Sequence, residues 1–468
     1  MDIRPDGRSA VVAVGKDGRE HLWTINLDGS SPRQLTNDAF FDRHPRWIGN
    51  SNRVMFQSNR GGQVDLWQID VESKAMTPLT SGEGEEIPES SSADGRNLSF
   101  QQLTKDANLW TFAGSASQIT QDSLSDHTPV LSADGNVLAF QRSQPTPSRG
   151  YTILDAKVFF APFDGTPVLD PRSIADGFAP DLSHDGQWLA YLQMGDRPTR
   201  MKLSVRDMRR GATILLTSSA GLPSLGLVPV EWSARTTAWS QTSQDLYFVE
   251  VSGDSEAYAI RRYRGGEAAA GPSIATGLSP NAYIRDLWVS PQTGRLAYLS
   301  SARGVGTAVH ELDPETRATR VLVKFVPKEL PTGLVLRGWL DRSLILVRTT
   351  ASYEDRTADA EIVLVDNSGG IRIAGRVTKV FINTLRLHPS KRLLYMTRAE
   401  AGTHNVFTFS LDTSAVAAVT QNALPGVTFS GFQPIGTQGV LGVREERRED
   451  IWLIEQTATP RTGNPAGR

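Results

Sequence analysis

One short phrase recurs along this chain: residues 92–100 read SADGRNLSF, residues 132–140 SADGNVLAF and residues 183–191 SHDGQWLAY. In each, Asp-Gly supplies a side chain that hydrogen-bonds its own turn and a glycine that accepts positive φ, and the alternating apolar run behind it suits a strand buried on one face. A repeat of roughly 40 to 50 residues with turn chemistry of this kind points to a stacked or radial array of small sheets.

A full unit is clearest over residues 40–80. Residues 42–47 start the first strand, residues 50–52 turn, RVMFQ (53–57) is the second strand and DLWQIDV (65–71) the third, with Trp67, Ile69 and Val71 on one face. TPLT (77–80) closes the unit. The third strand returns in register as Leu22-Trp23, Leu66-Trp67, Leu109-Trp110 and Ile451-Trp452, so four of the ten tryptophans share one position, and Phe407 and Tyr258 keep an aromatic there. Packing against the neighbouring sheet explains such a ring better than ligand binding does. Weaker units begin near Trp239, Ser290, Trp339 and His388, and the last ends in DIWLIE (450–455).

The pattern predicts an all-β chain: a β-propeller or propellers of about ten four-stranded antiparallel blades of 40–50 residues, possibly two rings. Residues 1–217 hold the five well-marked repeats, residues 218–455 the more divergent blades, with SSAGLPSLGLVP (218–229) as the boundary, and residues 456–468 a disordered tail. The first unit starts inside its innermost strand and the last has no outer strand after Glu455, so the two ends do not complement each other. That mismatch predicts the C-terminal part of a longer chain, or a reading frame begun at an internal methionine.

Composition narrows the function. A formal net charge of -2 and the lack of any Lys/Arg tract argue against nucleic-acid binding. The absence of cysteine removes disulfides, thiolate metal sites and cysteine nucleophiles. No segment approaches a membrane span, and the amino end lacks an export signal, which leaves the compartment open; periplasmic or extracytoplasmic exposure is expected only with an upstream signal or anchor.

The order of inner strand, Asp-Gly turn, Leu-Ala-Phe strand, Asp-Leu-Trp strand and Leu-Thr ending resembles the WD-like repeat of TolB-type propellers, from about Asp2 to Glu455. The resemblance implies a rigid, usually non-catalytic scaffold for protein or ligand contacts. The ending GVREERREDIWLIE is similar to the C-terminal arrays of bacterial winged-helix regulators and Ser/Thr kinases. The function expected is therefore an interaction or sensing module within such a regulator or kinase. The alternatives are the propeller of an envelope-assembly protein of the TolB type, or of a prolyl-oligopeptidase-like enzyme whose hydrolase domain is not in this sequence.

No Gly-x-Ser-x-Gly elbow, His-Glu-x-x-His, EF-hand or Walker pattern occurs; Ser224 lies in GLPSLG with the wrong spacing. No catalytic residue, cofactor or metal is expected. His184 and His388 read as turn residues, Arg261, Arg262 and Arg264 as strand-end charges, and Asn97-Leu-Ser as an unmodified sequon inside a strand. One constellation stands out: aligning the units places Asp42, Glu86 and Asp126 at the start of the innermost strand in three consecutive blades, with Arg43 and His127 beside them. Held together on a channel face, these would form a polar funnel for a basic partner segment, a small ligand or a cation. A protein or peptide is the partner expected.

Overall fold

The computed structural model describes residues 1–468 other than 17–18, 63, 83, 114, 122–123, 144, 147–149, 152–155, 198–199, 222–234, 253–256, 276–281, 303–305, 326–332, 350–356 and 457–468. Among the described residues, apart from two short 3-10 turns, Ile382–Thr384 and Pro389–Lys391, the regular structure is antiparallel β, built from four-stranded sheets of propeller type. The proposed boundary at 218–229 falls mostly outside the described residues, as does the tail beyond Gln456.

The three repeated phrases form the turns expected of them. In each, the Ser Oγ binds the Asp carboxylate (2.5 Å for Ser92 and Asp94, 2.5 Å for Ser132 and Asp134, 2.7 Å for Ser183 and Asp185), which also accepts the backbone N–H two residues on. Gly95, Gly135 and Gly186 sit at φ 70°, 74° and 69°, where a side chain would be strained. These bonds hold the Asp94 and Asp134 carboxyls below the usual carboxylate range.

Ten first strands open ten blades among the described residues: Asp2–Ile3, Asp42–Trp47, Glu85–Ser91, Ser125–Leu131, Phe178–Leu182, Thr237–Trp239, Ala282–Val289, Gly333–Leu340, Arg386–His388 and Val427–Ile435. They are numbered 1 to 10 below. They divide into two compact units, one of residues 1–105, 145–150 and 447–468, the other of residues 106–144 and 151–446.

The larger unit is a closed ring of seven blades, 4 to 10. The first strand of each blade packs on the first strand of the next, and Val427–Ile435 of blade 10 packs on Ser125–Leu131 of blade 4. Blade 10 is composite: its first and second strands are Val427–Ile435 and residues 439–446, and its third and fourth are residues 106–112 and Ala116–Gln118. On one side Leu109, Leu441 and Val443 share a core with Leu138 and Phe140 of blade 4. On the other, Phe112, Phe429 and Val440 share one with Tyr395 and Val406 of blade 9. Burial of these side chains, at about 25 cal/mol per Å2 of apolar surface, closes the ring.

The smaller unit holds three successive blades. Blades 1 and 2 are complete four-stranded meanders, whose shared core includes Val11, Leu22, Trp47, Phe56 and Ile69. Blade 3 comprises Glu85–Ser91, residues 97–105 and residues 447–455; the Gln456 N–H donates to the Arg96 carbonyl at 2.7 Å, and Ile454 packs against Ile48, Met55 and Leu98.

Units 3 and 10 are therefore not self-contained meanders, which corrects the expectation of ten separate ones. Asn97–Phe112 is one continuous strand and Gly439–Glu455 another. The third strand of repeat three completes blade 10, and the third strand of repeat ten completes blade 3. The reason lies in the connections: LTKDA (103–107) and ERRED (446–450) contain no Gly, Pro or Asn to reverse the chain.

Candidate functional site

Several first strands carry a bulge a few residues after they start. His44, Thr128, Ala179 and Asp286 occupy left-handed φ values of 49°, 48°, 49° and 54°, beside register shifts in blades 2, 4, 5 and 7. The bulge re-aims the flanking side chains, and its strain of order 1 kcal/mol or more per residue is offset by blade packing. Asp42 and Asp126 sit two residues before it, so the alignment of these two positions holds in three dimensions.

In the smaller unit, Asp42 is completely buried and accepts a 2.7 Å bond from Arg60 of its own blade. Glu86 is buried against the Leu66 N–H, at 3.3 Å, and the Thr80 hydroxyl; burial first, then the nearby Asp65 charge, pushes its carboxyl up. Asp65, 6% exposed, is raised by burial as well. Arg43 pairs with Glu20 and lies over the Phe41 ring at 4.4 Å. In the larger unit Asp126 is completely buried in a bidentate pair with Arg142 (2.7 and 2.9 Å), and His127 is buried beside it. These acids are thus matched by their own blades' arginines or by hydroxyl and amide donors, rather than open to solvent.

The other singled-out residues are also accounted for. Arg261, Arg262 and Arg264 pair with Glu250, Glu315 and Asp245. His184 lies in its turn against the Ser240 carbonyl at 3.0 Å, and burial pulls its imidazole pKa down. His388 also stands at its turn, between the strand Arg386–His388 and the 3-10 turn Pro389–Lys391, and it is fully buried, 6.1 Å from the Tyr395 ring. Ser224 lies outside the described residues.

Two clusters escaped the sequence reading. The first is in the seven-bladed ring. The guanidiniums of Arg235 and Arg386 lie 4.6 and 5.6 Å from the Trp288 ring. Arg386 donates to the neutral Gln433 at 2.8 Å, while Arg337 donates to the Leu336 and Ile382 carbonyls. Asp181 lies 3.5 Å from Arg235. Desolvation and the charges of Arg235 and Arg337 push Arg386 down to about 9. These residues come from blades 5 to 10 and share no spacing motif.

The second is in the smaller unit, where His21 of the strand Arg19–Asn26, Asp38 and Asp42 bring one ligand atom each within 4.8 Å of one another. His21 Nδ1 and Asp42 Oδ2 are buried and make no hydrogen bond. Only the packing of blade 1 on blade 2 joins residues so spaced; no signal in the sequence marks them.

The fold defines an all-β propeller protein with a closed seven-bladed ring. Residues 2–158 match the family described as the TolB beta propeller domain, which supports the TolB-like propeller family for that segment. Dipeptidyl-peptidase 5 of Porphyromonas gingivalis is 40% identical over 73 residues, 14% of this chain and 10% of that protein. Among solved structures, the tricorn protease is 12% identical at a TM-score of 0.45, covering 89% of this chain and 43% of its own. TolB from Acinetobacter baumannii is 10% identical at a TM-score of 0.38, covering 89% and 82%. The chain thus spans about a tenth of the curated peptidase and less than half of the tricorn protease chain. No helix among the described residues is long and apolar enough to cross a membrane.

Proposed function

We propose that this chain is a non-catalytic recognition module whose seven-bladed ring holds an acidic segment of a protein or peptide partner. The observation that carries this reading is the arginine cluster around Trp288. Arg235, Arg337 and Arg386 lie close enough for their charges to act on one another in a partly desolvated setting, and Arg386 donates to a neutral amide. Like charges gathered away from bulk water favour a carboxylate ligand, and guanidiniums bind carboxylates in a bidentate manner. The blades fix these groups in advance, so binding costs little ordering entropy. The partner's charge is opposite to that expected from the sequence, because Asp42 and Asp126 are already paired with Arg60 and Arg142. On the likeness of its last strand, the module serves a larger bacterial regulator or kinase.

The test is titration of the full chain with acidic, neutral and basic peptides, followed by Trp fluorescence and calorimetry. The acidic peptides should bind, weakening with salt, and Arg386→Gln should reduce the affinity about tenfold or more. Equal binding of all three peptide classes, or none, would end this reading. A second reading, a propeller serving a peptidase, draws support from the segment similar to dipeptidyl-peptidase 5. Turnover of dipeptide amides by the chain would favour it and exclude the non-catalytic one.

A further inference from the structure

We propose that His21, Asp38 and Asp42 form a binding site for a divalent transition-metal ion, Zn2+ or Mn2+, which ties blade 1 to blade 2. One nitrogen and two carboxylate oxygens converge within 4.8 Å. That donor set suits zinc and manganese, since imidazole selects against magnesium and calcium while carboxylates suit manganese.

The bonding of these groups carries the inference further than their proximity. Asp42 is 0% exposed; its Oδ1 takes the Arg60 bond at 2.7 Å, but its Oδ2 is buried with no donor. His21 Nδ1 is likewise buried without a partner. A buried polar atom left without a partner costs roughly 1–3 kcal/mol, and two such atoms belong to this one three-residue cluster. Asp38 accepts from the Phe40 N–H at 3.1 Å and pairs with Arg60 at 3.2 Å, which fixes its carboxylate within the cluster. Arg60 balances one of the two negative charges, so a dication is electrostatically admissible. Supporting groups that fix the ligands in this way are usual at metal centres.

The site goes beyond the proposed recognition role and is independent of the arginine cluster. Its test uses the full chain, stripped with chelator and titrated with Zn2+, Mn2+ and Co2+, the last for its visible absorption. The expected result is one ion per chain, a raised melting temperature on loading and a Co2+ spectrum with mixed nitrogen and oxygen ligation. Asp38→Asn, in a partly exposed loop, and His21→Gln should each weaken binding by about tenfold or more while both variants stay folded by circular dichroism. No saturable binding, or binding unaltered in both variants, would overturn the proposal and leave a hydrated polar cluster.

Discussion

At the scale of single residues, the repeat pattern places side chains on equivalent strands without revealing what they bond to. Asp42 and Asp126 do start equivalent strands, but a one-dimensional pattern carries no partner, and the arginines that pair with them lie 18 and 16 residues further on, respectively. Removing one side of such a pair exposes the cost of the other. Asp126→Asn should destabilise the larger unit by about 3–5 kcal/mol in chemical denaturation. Glu86 gives a pH signature instead. Its native carboxyl is raised by burial, so the folded state holds the proton more tightly than the unfolded chain does. Its ionisation therefore costs stability as pH climbs above the unfolded value of about 4.3, and protonation at lower pH removes that cost. Glu86→Gln should raise the melting temperature at pH 8 and change it little at pH 4; an equal shift at both would place the effect in packing.

At the scale of elements, the Asp-Gly turns, the strand alternation and the number of repeats were legible because each rests on chemistry within a few residues. The joining of residues 106–118 to blade 10 was not, because it depends on the absence of turn residues at two places hundreds of residues apart. The tightest point of that junction is Gly439, where a Cβ would come 2.3 Å from the Phe112 carbonyl oxygen. Gly439→Val should cost roughly 2 kcal/mol or more by overpacking and raise amide exchange in residues 106–112. The tryptophan register shows the same contrast. Trp67 and Trp110 pack against blade cores as expected, whereas Trp452 is 51% exposed, beside Ile451 and Leu453 at 83% and 67%. Blade 3 has three strands where blades 1 and 2 have four, so nothing among the described residues covers that edge. Apolar exposure of this kind favours association, and Trp452→Lys with Leu453→Lys should reduce self-association in sedimentation without lowering the melting temperature.

At the scale of the whole molecule, two compact units depend on two shared strands. Residues 439–446 complete the closing blade of one, and residues 447–455 form the outer strand of the other. A chain ending at residue 438 should lose the cooperative unfolding of the ring, seen as a broadened calorimetric transition, and expose the cores around Leu109 and Leu98 to dye binding. Survival of a sharp transition would show that the ring closes by other contacts. The sequence by itself determined the all-β class, the repeating blade and its turns, since these follow from side-chain period and local backbone preference. Only the tertiary structure decided that seven blades close and three do not, which strands complete which blade, and that Arg235, Arg337 and Arg386, or His21, Asp38 and Asp42, meet. Those outcomes depend on packing between distant segments, where the burial of apolar surface and the satisfaction of buried charge select one pairing among many that the same local pattern permits.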